Sequence, residues 1–144
     1  MRTCVIDSSV VVKWYVPENL SQQAALLLRR ARNGTLRLLA PDLVFPEVGN
    51  ILWKKQRLGE LEAASAARIL RAVLKTFPAR VLESRPLLPA AFRIASAFER
   101  TVYDALYIAA AQATGAPLVT ADQRLVNSLK HGPLADVITD LREI

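Results

Sequence analysis

The sequence predicts an α/β sandwich built around a parallel sheet. Three observations carry that prediction. Short apolar runs of β-type residues recur at residues 3–6, 37–40, 80–82 and 118–120. Longer stretches with apolar residues at helical spacing lie between them. Strands that alternate with helices in this way build a parallel sheet covered by helices. No linker, internal repeat or low-complexity segment interrupts the chain, so residues 1–144 are assigned to one domain. That length suits a single core without staples.

The elements follow in order. Residues 3–6 form the first strand, which stops at Asp7-Ser8-Ser9, where Ser8 or Ser9 can cap a helix. An apolar segment from Val10 to Tyr15 runs up to Pro17. Residues 20–32 read as a helix with Ala24, Leu27, Leu28 and Ala31 on one face, ended by Asn33-Gly34. After the strand at 37–40, Pro41-Asp42 opens a helical stretch to Leu58, with Pro46 as a place of kink or delay. Residues 61–77 give another helix, with Leu70, Val73, Leu74 and Phe77 as its apolar positions. The strand at 80–82 is followed by a helix over 89–98 and one from Thr101 to Gly115. The strand at 118–120 leads into a helix over 122–130, and Val137-Ile138 is a final edge strand.

Composition narrows the function. Lys and Arg total 19 against 13 acids, a net charge of +6, which points to a polyanionic partner. The hydrophobic share of 52% exceeds the usual ~45–50%, consistent with a full core or an apolar patch kept for a partner. Cys4 is the only cysteine and lies in an apolar run, so no internal disulfide forms and nothing asks for an oxidising compartment. The longest uncharged stretch, residues 105–121, is broken by Gly115 and Pro117 and reads as helix, turn and strand rather than a membrane span. With no signal peptide in view, a cytoplasmic protein without membrane contact is expected.

Four of the 13 acids stand in apolar or junctional places. Asp7 ends the first strand and Asp122 follows the fourth. Active sites of open parallel sheets form beyond the carboxyl ends of strands, so these two converge if their strands are neighbours. Asp104 lies three residues after Thr101, and Glu47 follows Pro46. Each also has a structural explanation. Asp7 and Asp122 suit N-caps, Asp104 a capping box with Thr101, and Glu47 a first-turn acid on a helix dipole.

As a set they carry a resemblance. The opening Asp7-Ser8-Ser9-Val10-Val11-Val12-Lys13-Trp14-Tyr15-Val16-Pro17-Glu18 resembles the start of PIN-domain toxins of the VapC family. Pro46-Glu47-Val48-Gly49-Asn50-Ile51-Leu52, Tyr103-Asp104-Ala105-Leu106-Tyr107 and Thr120-Ala121-Asp122 resemble that family's second, third and fourth acidic motifs, in order. The likeness runs from residue 3 to about residue 130. It implies a PIN-like three-layer sandwich and hydrolysis of RNA phosphodiesters to a 5′-phosphate and a 3′-hydroxyl. It also implies a homodimer and a small antitoxin protein whose segment blocks the acidic groove.

Four carboxylates in one pocket ask for a cation. Two like charges 4 Å apart repel by about 4 kcal/mol at an effective dielectric near 20. The single histidine, His131, and single cysteine do not make a zinc site, whereas an all-oxygen set favours Mg²⁺, with Mn²⁺ as substitute. Asp7, Asp104 and Asp122 are assigned as core ligands, with Glu47 holding a second ion or orienting water. Ser9 and Thr120 are assigned to hydrogen-bond the carboxylates, or equally to cap and turn. Ser8 and Ser9 lack a histidine base, no glycine-rich phosphate loop is present, and Ser9 fills the second acidic place of an Asp-x-Asp phosphotransfer motif.

Glu47, Asn50, Lys54 and Arg57 recur at i, i+3, i+7 and i+10, one stripe of a helix. Val44, Val48, Ile51, Leu52 and Leu58 fall largely elsewhere and can face the core. Asn50, Lys54 and Arg57 are the expected RNA track, with a solvated face as the alternative. Arg68, Arg71 and Lys75 are read as solvated. Trp14, Tyr15 and Trp53 are candidates for base stacking or an interface. The rival functions are a DNA-directed or structure-specific nuclease with the same site, and a non-catalytic nucleic-acid-binding module.

Overall fold

The computed structural model describes residues 2–144. Five parallel strands form one sheet: β1 (Arg2–Ile6), β2 (Leu36–Pro41), β3 (Arg80–Leu82), β4 (Leu118–Thr120) and β5 (Ile138–Asp140). Their spatial order is β3-β2-β1-β4-β5. Val5 pairs with Leu39 on one side and Leu118 on the other, so β1 is the central strand. The chain fills one half of the sheet before crossing to the other, and the reversal falls between β1 and β4.

Both faces of the sheet are covered, which is why its strands read as continuous apolar runs rather than alternating ones. Cys4, Ile6, Leu38, Ala40 and Val119 face one core with α1 (Ser8–Val11), α2 (Ser21–Arg32), α3 (Val44–Arg57) and α4 (Ala63–Thr76). Val5, Leu39 and Leu118 face a second core with α5 (Ser84–Phe98), α6 (Val102–Thr114) and α7 (Gln123–Leu129). Helix α6 is the innermost, with residues 105–111 all buried. This is the three-layer arrangement expected from the sequence. No helix among the described residues is long and apolar enough to cross a membrane.

Several details differ from the sequence reading. Pro41 closes β2, and Asp42 is a turn residue whose carboxylate accepts from the backbone N–H and hydroxyl of Ser84, tying the end of β2 to α5. Helix α3 starts at Val44 with Pro46 in its first turn, where an N–H needs no helical partner. Helix α5 begins at Ser84, five residues before the expected Pro89. Pro89 sits on its exposed side, so the carbonyl it leaves unpaired faces water and the helix continues. Leu58 (68%) and Leu74 (57%) are exposed rather than core-facing. Leu58 lies just past the end of α3, where no layer covers it.

Candidate active site

Asp7 and Asp122 meet at the reversal point of the sheet, as strand-end acids of neighbouring strands should. Asp7 is the N-cap of α1 and accepts from the backbone N–H groups of Ser9 at 3.1 Å and Val10 at 3.4 Å. The cap is therefore Asp7, not Ser8 or Ser9. Ser9 instead donates its hydroxyl to Asp7 Oδ1 and accepts from the Ala121 N–H at 2.9 Å. Thr120, fully buried at the end of β4, donates to Asp7 Oδ2 and accepts from the Asp122 N–H at 3.0 Å. Two hydroxyls thus brace the carboxyl ends of β1 and β4 against each other.

Asp7 is only 6% exposed. Burial pushes its pKa up to about 6, with a further push from Asp122, against the opposing hydrogen bonds of Ser9, Thr120 and Val10. Asp122 is the N-cap of α7 and accepts from Arg124 N–H at 3.0 Å and Leu125 N–H at 3.4 Å.

Glu47 stands half-buried on the first turn of α3. It accepts from the Tyr107 hydroxyl at 2.5 Å and the Ser8 hydroxyl at 3.3 Å. Burial raises its pKa; Tyr107 and Ser8 lower it, and Asp104 and Asp122 raise it further. Asp104 sits in the first turn of α6. Its N–H donates to Thr101 Oγ1 at 3.1 Å, one half of the expected capping box. The other half is absent, because the Asp104 carboxylate accepts from Arg100 Nη2 at 2.8 Å.

Asp7 and Asp122 follow the paired strands β1 and β4, while Ser8 beside Asp7 and Tyr107 one turn after Asp104 both bond Glu47, which links the four acids through their neighbours. Among the described residues, no three His, Cys, Asp or Glu side chains are gathered tightly enough to hold one ion as they stand. Each carboxylate is held by protein donors instead. A cleft of about 300 Å³ opens at Glu47, lined by Ser8, Leu43, Pro46, Glu47, Asn50, Ile51 and Tyr103.

Of the expected RNA track, Asn50 lines this cleft, while Lys54 and Arg57 lie exposed farther along α3. The Arg57 guanidinium stacks over Trp53, 5.4 Å from the ring centroid, and Trp53 is half exposed. Trp14 and Tyr15 are committed elsewhere. Trp14 Nε1 donates to the Ala24 carbonyl at 2.8 Å, the Tyr15 hydroxyl lies 3.4 Å from Thr76 Oγ1, and both rings pack on the core. Sequence reasoning assigns no part in holding the acids to three residues that do so: Tyr107 and Ser8 at Glu47, and Arg100 at Asp104. The spacing of Tyr107, three residues after Asp104 on one helix, was the available signal for the first.

The PIN-domain family model matches residues 4–128. Ribonuclease VapC3 of Pyrobaculum aerophilum is 38% identical over 122 residues, 84% of this chain and 90% of that protein. Exonuclease VapC9 of the same organism is 42% identical over 94 residues, 65% of this chain and 68% of that one. Among solved structures, PAE2754 from Pyrobaculum aerophilum superposes with a TM-score of 0.67 at 31% identity, covering 99% of this chain and 85% of its own. The sheet order, the strand-end acids and these likenesses agree, and the chain belongs to the PIN-domain family, among its VapC members.

Proposed function

We propose that the protein is a metal-dependent endoribonuclease and the toxin of a toxin–antitoxin pair. The observation that supports this reading is the set of hydroxyls that ties the acids to one another: Thr120 between Asp7 and Asp122, and Ser8 and Tyr107 on Glu47. A ribonuclease and an exonuclease among the relatives support nuclease chemistry for this chain.

The donor set fits a hard divalent cation. It is all oxygen, and the acids repel one another in a way that a cation relieves. Asp7, Asp104 and Asp122 would hold Mg²⁺ or Mn²⁺, with Glu47 at a second ion or at the attacking water. Bound there, the ion would supply charge neutralisation and activation of water for an in-line displacement at phosphorus. Water's oxygen bonds to phosphorus, the bond to the 3′ oxygen breaks, and a 5′-phosphate and a 3′-hydroxyl result.

The chain's own residues prepare that chemistry. Ser9 and Thr120 fix both oxygens of Asp7. Tyr107 and Ser8 orient Glu47 toward the cleft where Asn50 stands. Asn50, Lys54 and Arg57 lead away along α3 as a track for the phosphate backbone. A homodimer, and an antitoxin whose segment covers the acidic cleft, complete the reading.

Matched RNA and DNA, linear and circular, incubated with Mg²⁺ and with excess chelator, test it. Cleavage of circular RNA in Mg²⁺ but not in chelator is expected. Circles left intact while linear RNA is shortened from its ends would make the protein an exonuclease. DNA cut in preference to RNA would make it a DNA-directed enzyme. Undiminished cleavage in chelator would remove the metal, and no cleavage of any substrate would leave a binding module.

A further inference from the structure

Among the described residues, Arg100 is the cation that stands within salt-bridge distance of the four acids, 2.8 Å from Asp104 Oδ2. Local helix electrostatics do not account for it. Arg100 precedes Thr101, the N-cap of α6, and a positive charge there opposes the helix dipole. The two side chains keep only 23% and 26% of their exposure, and Arg100 Nε is buried with no acceptor. Leaving such a donor unmade is unfavourable. Arg100 follows Glu99, the left-handed C-cap of α5, so its backbone is set by the end of that helix.

The helix dipole and the orphaned Nε weigh against this placement, and the 2.8 Å contact with Asp104 is the interaction the side chain gains there. The other three acids are held by neutral donors. Asp7 has hydroxyls and amides, Glu47 has hydroxyls, and Asp122 has amides. A carboxylate can share neutral donors with a metal ion. A guanidinium repels the incoming ion and must give way.

We propose that Arg100 is an internal counter-ion for Asp104 that competes with the divalent cation for this carboxylate, so that the pair opens as metal binds. The inference rests on the metal-centred reading of the site. It makes Arg100 a positioning residue that sets how much metal the protein needs.

Mn²⁺ titration calorimetry on the full chain tests it, with wild type, Arg100→Met, Asp104→Asn and the double variant. Arg100→Met should bind Mn²⁺ about fivefold more tightly than wild type, the scale an ion pair at the top of the surface range withholds. In the Asp104→Asn background the same substitution should change affinity by less than about twofold, because the contested carboxylate is gone. Equal or weaker binding by Arg100→Met overturns the proposal. So does a full gain that survives Asp104→Asn, which would make Arg100 a distant repulsive charge only. If neither wild type nor Arg100→Met binds Mn²⁺, the metal-centred reading fails as well.

A second measurement decides the matter where a variant does not fold or binds too weakly to follow. The Arg100 Nε–H resonance of the wild-type protein should shift during Mg²⁺ titration and saturate with the binding isotherm. A resonance that stays in place while Mg²⁺ binds overturns the proposal.

Discussion

Tyr107 donates its phenolic hydrogen to Glu47 at 2.5 Å, joining α6 to α3. Burial, together with the charge of Glu47, pushes the Tyr107 pKa far up, so the hydroxyl remains a donor at any working pH. Tyr107→Phe removes a bond that lowers the Glu47 pKa. The Glu47 pKa should rise further and the acidic limb of the cleavage profile should move to higher pH. Stability should fall by about 1–2 kcal/mol. A pH–rate profile and a urea melt measure both; an unmoved acidic limb would leave Tyr107 a packing role only.

Asp7 gives the chelated protein an unusual pH dependence. Its folded pKa of about 6 lies above the unfolded value near 3.9. The native state therefore holds the proton more tightly than the unfolded state. Stability from this group is fully present below about pH 4 and is lost as pH rises through 6, by roughly 3 kcal/mol for a two-unit shift. Asp7→Asn should flatten this dependence and be the more stable protein at neutral pH. Melts in chelator across that window check it, and a wild-type curve that rises toward neutrality through the same window would contradict it.

Asp104→Asn keeps size and removes charge. The backbone bond to Thr101 survives, so α6 stays capped. Relief of repulsion alone would make the metal-free variant more stable. The pair with Arg100 reverses that sign, and a loss of up to about 1 kcal/mol is expected. Mn²⁺ binding should weaken and RNA cleavage should slow by orders of magnitude. Wild-type cleavage at limiting Mg²⁺ would remove Asp104 from the ligand set.

Lys54→Ala tests the track along α3. Metal binding should persist, while RNA affinity falls and the slope of log affinity against log salt drops by about 0.7 for one lost single-strand contact. A slope identical to wild type would make Lys54 a solvated residue of the surface.

The expected homodimer has an apolar face available. Leu88 (42%) and Phe92 (66%) are exposed one helical turn apart on α5. Light scattering at micromolar concentration should give a dimer mass, and Phe92→Asp should shift it toward monomer. A wild-type monomer would remove the dimer from the functional reading.

How much of this was legible in the sequence depends on how local each cause is. Asp7 and Asp122 stood out because a charge ending an apolar run marks a strand terminus, and strand termini are where parallel sheets build sites. Ser9 and Thr120 were legible by proximity to them. Ser8 and Arg100 were not, because their roles arise from packing between α1, α3 and the α5–α6 junction, which no spacing encodes, and the spacing of Tyr107 from Asp104 places it on the same face without naming Glu47 as its partner. The start of α5 was hidden by Pro89, whose breaking effect is muted on an exposed face. Leu58 and Leu74 have core-like identity and spacing, yet sit on sides that no layer reaches. Trp14 and Trp53 are the same residue type with opposite fates, one bound to the Ala24 carbonyl and one open to solvent.

The brace between Asp7 and Thr120 spans 113 residues of chain. During synthesis Asp7 emerges early, and its second hydroxyl partner emerges only with the last quarter of the polypeptide. Until β4 slots beside β1, Asp7 lacks half its support and Asp122 is not beside it. A chain that ends before β4 therefore carries Asp7, Glu47 and Asp104 without the sheet reversal that seats Asp7, so the site is assembled only when translation is nearly finished.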